Sequence, residues 1–262
     1  MATCSSCNAK LNPDKLRCLN CGVMNTSEMF DVRDDASIAL ADVVSADEDR
    51  LETGPWDICF GQSTKTGQAG IVKTSVTLIG GSPGAGKSTI TLQICDAVGA
   101  QKLECIYIAT EEALPEIKMR ADRLGLKHQE FIRMVSGLSG VNLVQVVNSR
   151  PTQPSLVIID SLNNMVGEDH ELQLEVCKRA KEFAVKLACP FFLVTHVTKD
   201  EVIAGRNSIQ HAVDTTMTFF PDEDGIRILN VLKNRFGRAF VETEFEMTEN
   251  GLEYLEPEDS EE

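Results

Sequence analysis

The stretch VTLIGGSPGAGKSTITLQIC, Val76 to Cys95, decides how the rest of the chain is read. Its first residues, Val76 to Ile79, are β-rich. The loop Gly81-Ser82-Pro83-Gly84-Ala85-Gly86-Lys87-Ser88 follows, and apolar periodicity predicts a helix from Thr89. A G-x-x-x-x-G-K-S run between a strand and a helix is the arrangement of a phosphate-binding P-loop. Glycines let backbone N–H groups approach phosphate oxygens, Lys87 neutralises charge on the β- and γ-phosphates, and the Ser88 hydroxyl is a Mg²⁺ ligand. Residues Gly81 to Thr89 are therefore expected to hold ATP with Mg²⁺.

Outward from this loop, CIYIAT (105–110), FIRMVS (131–136), SLVIIDS (155–161) and PFFLVTHV (190–197) are short apolar runs, with helical patterns such as ELQLEVCKRAKEFAVKLA between them. Alternating strands and helices, with near-continuous apolar strands, predict an α/β fold with a mainly parallel sheet covered on both faces. Ligands of such sheets gather at the C-terminal ends of the strands. At those ends, Asp160 closes LVIID and is the candidate for the Mg²⁺ shell, against a plain role as helix N-cap. Glu111 and Glu112 follow YIAT, and either could orient an attacking water. His196 follows FFLVT; a lone histidine there reads more readily as structural than as a γ-phosphate contact.

The 262 residues suffice for one sizeable core and a small appendage. Forty Asp and Glu against 25 Lys and Arg give a formal charge of -15, which argues against broad electrostatic adhesion to nucleic acid or anionic membrane. No apolar run approaches the roughly 18 residues of a membrane helix, and MATCSSCNAKL has no signal pattern, so a cytoplasmic chain without membrane contact is expected. Of nine cysteines, Cys4-Ser-Ser-Cys7 and Cys18-Leu-Asn-Cys21 form two knuckles suited to one structural Zn²⁺. The other five, at 59, 95, 105, 177 and 189, read as buried small hydrophobes. The expected organisation is a zinc finger over 1–27, an acidic linker over 28–54, an ATPase core over 55–256 and an acidic disordered tail over 257–262.

One further stretch resists local reading. ILNVLKNRFGRAFVETEF, Ile228 to Phe245, reads as two strands with Lys233, Arg235 and Arg238 at their junction. By itself a basic turn is a solvated surface feature. Together, however, the four-cysteine finger, GGSPGAGKST, YIATEEALPEIKMRADRLG, LVIIDS, THVTKDEVIAG with HAVDTTMTF, and KNRFG resemble the RadA/Sms family, bacterial RecA-like recombination ATPases with a DnaB-like ring architecture. The resemblance covers nearly the whole chain, and KNRFG after a P-loop core is its specific part. It implies a RecA-like P-loop NTPase core, with Glu111 as catalytic glutamate and His196 as a sensor of the γ-phosphate. It also implies a DNA-facing loop, Val197 to Gln210, with Lys199 and Arg206 as backbone-contacting cations. Lys233 and Arg235 would reach the γ-phosphate held by an adjacent subunit, and Arg238 stays unassigned. Departures from the family pattern fall at FGQSTKTGQAG before the P-loop and at Glu201, Arg206 and Gln210. After ENGLEYLEP no counterpart of the family's Lon-protease-like domain follows, so a core-only variant is expected.

The implied function is a DNA-dependent ATPase forming a homo-oligomeric ring, a hexamer, that translocates on single-stranded DNA as a helicase in recombination or replication, with proteins of those processes as partners. Two alternatives stand beside it. One is a filament-forming recombinase or annealing mediator; the other is a KaiC-like regulatory ATPase whose partner is protein.

Overall fold

The computed structural model describes residues 49–136, 153–196 and 207–256. In chain order these form β1 (Arg50–Leu51), α1 (Asp57–Phe60), β2 (Ile71–Val72), β3 (Val76–Gly81), α2 (Lys87–Gly99), β4 (Cys105–Ala109), α3 (Leu114–Arg123), β5 (Ile132–Ser136) and β6 (Leu156–Asp160). There follow α4 (Leu162–Val166), α5 (His170–Leu187), β7 (Phe191–His196), α6 (Asn207–Ala212), β8 (Thr215–Pro221), β9 (Arg227–Asn234), β10 (Val241–Thr248) and β11 (Gly251–Tyr254). The main sheet runs β11-β10-β9-β8-β3-β7-β6-β4-β5. Strands β8, β3, β7, β6, β4 and β5 pair in parallel, whereas β9, β10 and β11 extend the β8 side as an antiparallel meander.

The central strands are mostly apolar because both faces are covered. Ile79, Tyr107, Ile158 and Phe192 pack with α2 and α3 in one core, while Leu78, Ile106, Ile108, Val157, Ile159 and Leu193 pack with α5 in the other. Side chains alternate across a strand, so each strand feeds both cores, and the buried polar positions are few, Thr77 in β3 and Thr195 in β7 among them. Full burial of each apolar residue contributes about 1.5–3 kcal/mol. In β9 and β10 the cover is one-sided: Leu229, Val231 and Phe245 are buried, and Asn230, Leu232, Glu242, Glu244 and Glu246 between them are half-buried or exposed. The alternation visible in FVETEFEM is the sequence trace of that difference.

Helix α2 begins at Lys87, two residues before the apolar periodicity starts, because Gly86 at φ +110° turns the loop directly into the first helical turn. Helix α5 is capped by the Asp169 carboxylate, which accepts N–H bonds from Glu171 and Leu172. Residues 49–54, read from composition as the end of an acidic linker, belong to the folded body. The buried Arg50 guanidinium donates to the carbonyls of Gly70 at 2.8 Å and Phe236 at 2.6 Å, and Leu51 joins the core. An arginine satisfied by backbone oxygens carries no local signal of burial. Cys59, Cys95, Cys105, Cys177 and Cys189 are free and buried, as their apolar contexts predict, and burial pushes the Cys59 thiol up to about 12. Among the described residues no helix is long and apolar enough to cross a membrane.

Candidate active site

Two glycines shape the loop after β3. A Cβ on Gly81 would lie 2.2 Å from the carbonyl oxygen of Phe219, so only glycine lets β3 run this close beside β8. Gly86 combines its left-handed backbone with a Cβ position 2.8 Å from the Met247 methyl. The loop borders a cavity of about 410 Å³ whose walls include Pro83, Gly84, Gly86, Lys87, Ser88 and Thr89. Across it stand Tyr107, Glu111, Arg120, Asp160, His196 and Met247. The volume lies within the range of small-molecule sites.

The Lys87 ammonium is buried and donates to the carbonyls of Gly81 at 2.7 Å and Ser82 at 2.9 Å. Burial lowers its pKa, opposed by the charges of Asp160 and Glu111. Asp160 ends β6 almost fully buried. It accepts the Tyr107 hydroxyl at 2.6 Å and a hydrogen bond from Ser88. Burial raises its pKa, the bonds from Tyr107 and Ser88 act against that, and Glu111 and Glu112 add to it. A hydroxyl and a carboxylate side by side, close to a lysine, form an oxygen donor set that fits Mg²⁺ beside a polyphosphate. The N-cap of α4 is Ser161, whose Oγ accepts the Asn164 N–H, so the capping role is taken by the neighbour of Asp160.

The two consecutive glutamates separate. Glu112 is paired with Arg120 of α3 at 2.6 Å. Burial is the largest influence and opposes the Arg120 charge, but the bond to Glu112 and the charges of Glu112, Tyr107 and Asp160 together outweigh it and its pKa rises. Glu111 instead lies 3.1 Å from His196 Nε2 and 3.5 Å from the Ser161 hydroxyl. Both partners sit at C-terminal strand ends. Their alignment rests on residues that the sequence reading passed over. The Thr110 hydroxyl donates to the Ser161 carbonyl at 2.8 Å and accepts its N–H at 2.7 Å, bracing β4 against β6 at the Asp160–Ser161 peptide, which is cis. Asn163 Oδ1 accepts both the Thr195 hydroxyl, at 2.8 Å, and the His196 N–H, at 2.9 Å. It ties the end of β7 to α4. The threonine after YIA and the asparagine after DSL are polar residues at strand ends, but only the fold reveals whom they meet.

Lys233 and Arg235 lie elsewhere. Lys233 donates to the carbonyls of Gln210 at 2.7 Å and Val213 at 2.6 Å; burial lowers its pKa, and the Arg235 charge adds to this while Asp214 opposes it. Arg235 reaches Asp214 Oδ1 at 3.3 Å and keeps 53% of its side chain exposed. Asp214, 1% exposed, also takes the Val76 N–H at 2.9 Å and Lys181 at 2.7 Å. Val76 is the first residue of β3 and Gly81 the last, so this cluster lies about 17 Å along the sheet from the P-loop. Arg238 is exposed. Cys4, Cys7, Cys18, Cys21, Lys199 and Arg206 fall outside the described residues; of the DNA-facing loop, residues 207–210 start helix α6.

Residues 67–202 match the family model described as AAA domain, about half of the chain. DNA repair protein RadA of Aquifex aeolicus is 33% identical over 268 residues, covering 95% of this chain. The protein of the same name from Bacillus subtilis is 33% identical over 232 residues, 83% of this chain, and that from Treponema pallidum 38% identical over 190 residues, 70% of this chain. The chain is an AAA-domain protein of the RadA family. It spans 58%, 48% and 40% of the length of those three RadA proteins. A crystal structure of a KaiC-like protein from Pyrococcus horikoshii matches with a TM-score of 0.60 at 16% identity, covering 71% of this chain and 92% of that one. That likeness bears on the fold alone, a RecA-like α/β core with a mostly parallel central sheet.

Proposed function

We propose that the chain is a DNA-dependent ATPase that assembles as a ring on single-stranded DNA and translocates along it in recombination, repair or replication. The observation that carries this is the meeting of Lys87, Ser88, Asp160, Glu111 and His196 around one cavity, while Lys233 and Arg235 stand at the other end of the sheet. A nucleotide site furnished with base, sensor and P-loop, but with its two motif cations out of reach, suits completion by a second copy. The names of the RadA relatives, DNA repair proteins, support a nucleic-acid role.

In this reading Lys87 and the loop amides from Gly81 to Thr89 hold the β- and γ-phosphates of ATP. Ser88 and Asp160 would ligate Mg²⁺, which when bound neutralises phosphate charge. Glu111 orients water for attack, held by Ser161 and His196, and Glu112 is engaged with Arg120. His196 then relays the state of Glu111 into the segment that follows β7, where Lys199 and Arg206 contact DNA phosphates. Arg235 of a neighbouring copy stabilises charge on the transferred phosphoryl oxygens, with Lys233 as the second trans cation. Such contacts are blind to base sequence and weaken with salt. Cys4, Cys7, Cys18 and Cys21 hold one structural Zn²⁺, and metal analysis of reduced protein is expected to find one zinc per chain; none would refute the finger.

ATP turnover with and without single-stranded DNA tests the reading. Strong stimulation is expected, with closed rings by negative-stain microscopy in a nonhydrolysable ATP analogue. Length-heterogeneous filaments would indicate a recombinase or annealing mediator. Turnover indifferent to DNA would replace the proposal with a regulatory ATPase acting on a protein.

A further inference from the structure

Phe240 stands out among the described residues. It is 90% exposed, the largest value among the exposed large hydrophobic side chains, and its backbone is left-handed, φ +59°. A bulky residue in that region is a genuine outlier, and an outlier held in place invites a functional question. Its N–H bonds to the Val231 carbonyl at 2.6 Å, so the conformation is fixed by the β9–β10 turn. The ring projects from a rigid support, five residues from Arg235.

An apolar cavity of about 330 Å³ lies at the other end of the sheet, bounded by Leu92 of α2, Leu114, Ile117 and Ala121 of α3, and Ile132 and Met134 of β5. Six strands separate β10 from β5, so at ~4.8 Å per strand the two features are about 34 Å apart, and Phe240 cannot enter the cavity of its own chain. Ile117 lines this cavity and the nucleotide cavity alike, which makes them neighbours across one side chain. Charge complements in part. Arg238 and the outer half of Arg235 are exposed in the turn that carries Phe240, with exposed Glu242 after it, and the cavity is lined by exposed Glu130 and by Lys118, which Asp122 neutralises; exposed Glu116 lies on the same helix, and exposed Arg123 and Lys127 follow in the chain.

We propose that Phe240 of one copy inserts into the apolar cavity between α2, α3 and β5 of the next, a head-to-tail contact that delivers Arg235 to the neighbour's phosphate site. The proposal rests on the self-assembly reading above and names the surfaces that make it. A contact joining two different faces leaves one of each free on every pair, so it propagates into a ring or a filament. A buried aromatic at the centre of such an interface is the usual hot spot.

Phe240→Gly removes the ring and suits the left-handed backbone, so the fold is spared. Leu114→Glu places a charge at the cavity mouth, at a helix N-terminus that tolerates it. Sedimentation velocity of the full chain with Mg²⁺ and a nonhydrolysable ATP analogue is expected to show each variant self-associating about 30-fold or more weakly than wild type. Each should bind a fluorescent ATP analogue as wild type does. Mixed, the Leu114→Glu copy offers the ring and the Phe240→Gly copy offers the cavity, so the mixture should form 1:1 dimers and stop there. Unchanged assembly of Phe240→Gly overturns the docking and leaves self-assembly standing. Monomeric variants that do not dimerise when mixed overturn the pairing of ring with cavity. A wild-type chain that stays monomeric overturns the assembly reading and the docking together.

Discussion

At the C-terminal end of β3, Lys87 borders an open cavity and is surrounded by groups that a nucleotide would engage: Ser88, Asp160, Glu111 and His196. At the N-terminal end, Lys233 holds the carbonyls of Gln210 and Val213, and Arg235 the carboxylate of Asp214. The first cluster is built to receive a ligand. The second is a brace that leaves one guanidinium half in solvent. A basic motif with a structural hold and a free edge acquires a chemical role only when another molecule supplies the anion.

Breaking the second end should give the largest effect. Arg235→Ala is expected to lower DNA-stimulated ATP turnover on the order of 10³–10⁵-fold while nucleotide binding by the same chain persists, because arginine fingers act on the transition state. Steady-state rates with a binding titration check this, and near-wild-type turnover would reduce Arg235 to its contact with Asp214. At the first end, Glu111→Gln should cost roughly 10²–10⁴-fold in turnover with ATP affinity kept, whereas Glu112→Gln should cost far less, since Glu112 is committed to Arg120. Equal losses in the two variants would mean that the observed separation of the carboxylates does not matter.

Smaller effects probe the supports. Asp214→Ala strands the Val76 N–H and two cations; chemical denaturation should show a loss of about 2–3 kcal/mol, discounted because Lys181 and Arg235 are partly solvated. Tyr107→Phe removes one hydrogen bond to the buried Asp160 and should cost about 1 kcal/mol, with Mg²⁺-dependent nucleotide binding weakened more than binding without metal. An equal effect under both conditions would detach Tyr107 from the metal site.

The P-loop end was open to reading because its chemistry is local. Gly81 to Ser88 are contiguous, and Asp160, Glu111 and His196 each follow a run of apolar residues that announces a strand end. The mainly parallel sheet followed from the same runs. What local reading missed was made by contacts distant in sequence. Thr110 meets Ser161, Asn163 meets Thr195 and His196, and Asp214 joins Val76, Lys181 and Arg235. Arg50 looked like part of an acidic linker because its partners, at Gly70 and Phe236, are carbonyl oxygens that any residue carries. The antiparallel edge was half legible: FVETEFEM alternates, but nothing local says that β9 pairs back onto β8.

In the proposed assembly, the two ends of the sheet form one active site only when two chains contribute them. Mixing inactive variants tests this most directly. Lys87→Ala copies keep Arg235, Arg235→Ala copies keep a whole P-loop, and a mixed assembly contains some junctions where both are intact. With single-stranded DNA and ATP, the account expects hydrolysis to return in the mixture, rising with the product of the two concentrations, while each variant alone stays inactive. A mixture of assembled copies that remains as inactive as its components would contradict it.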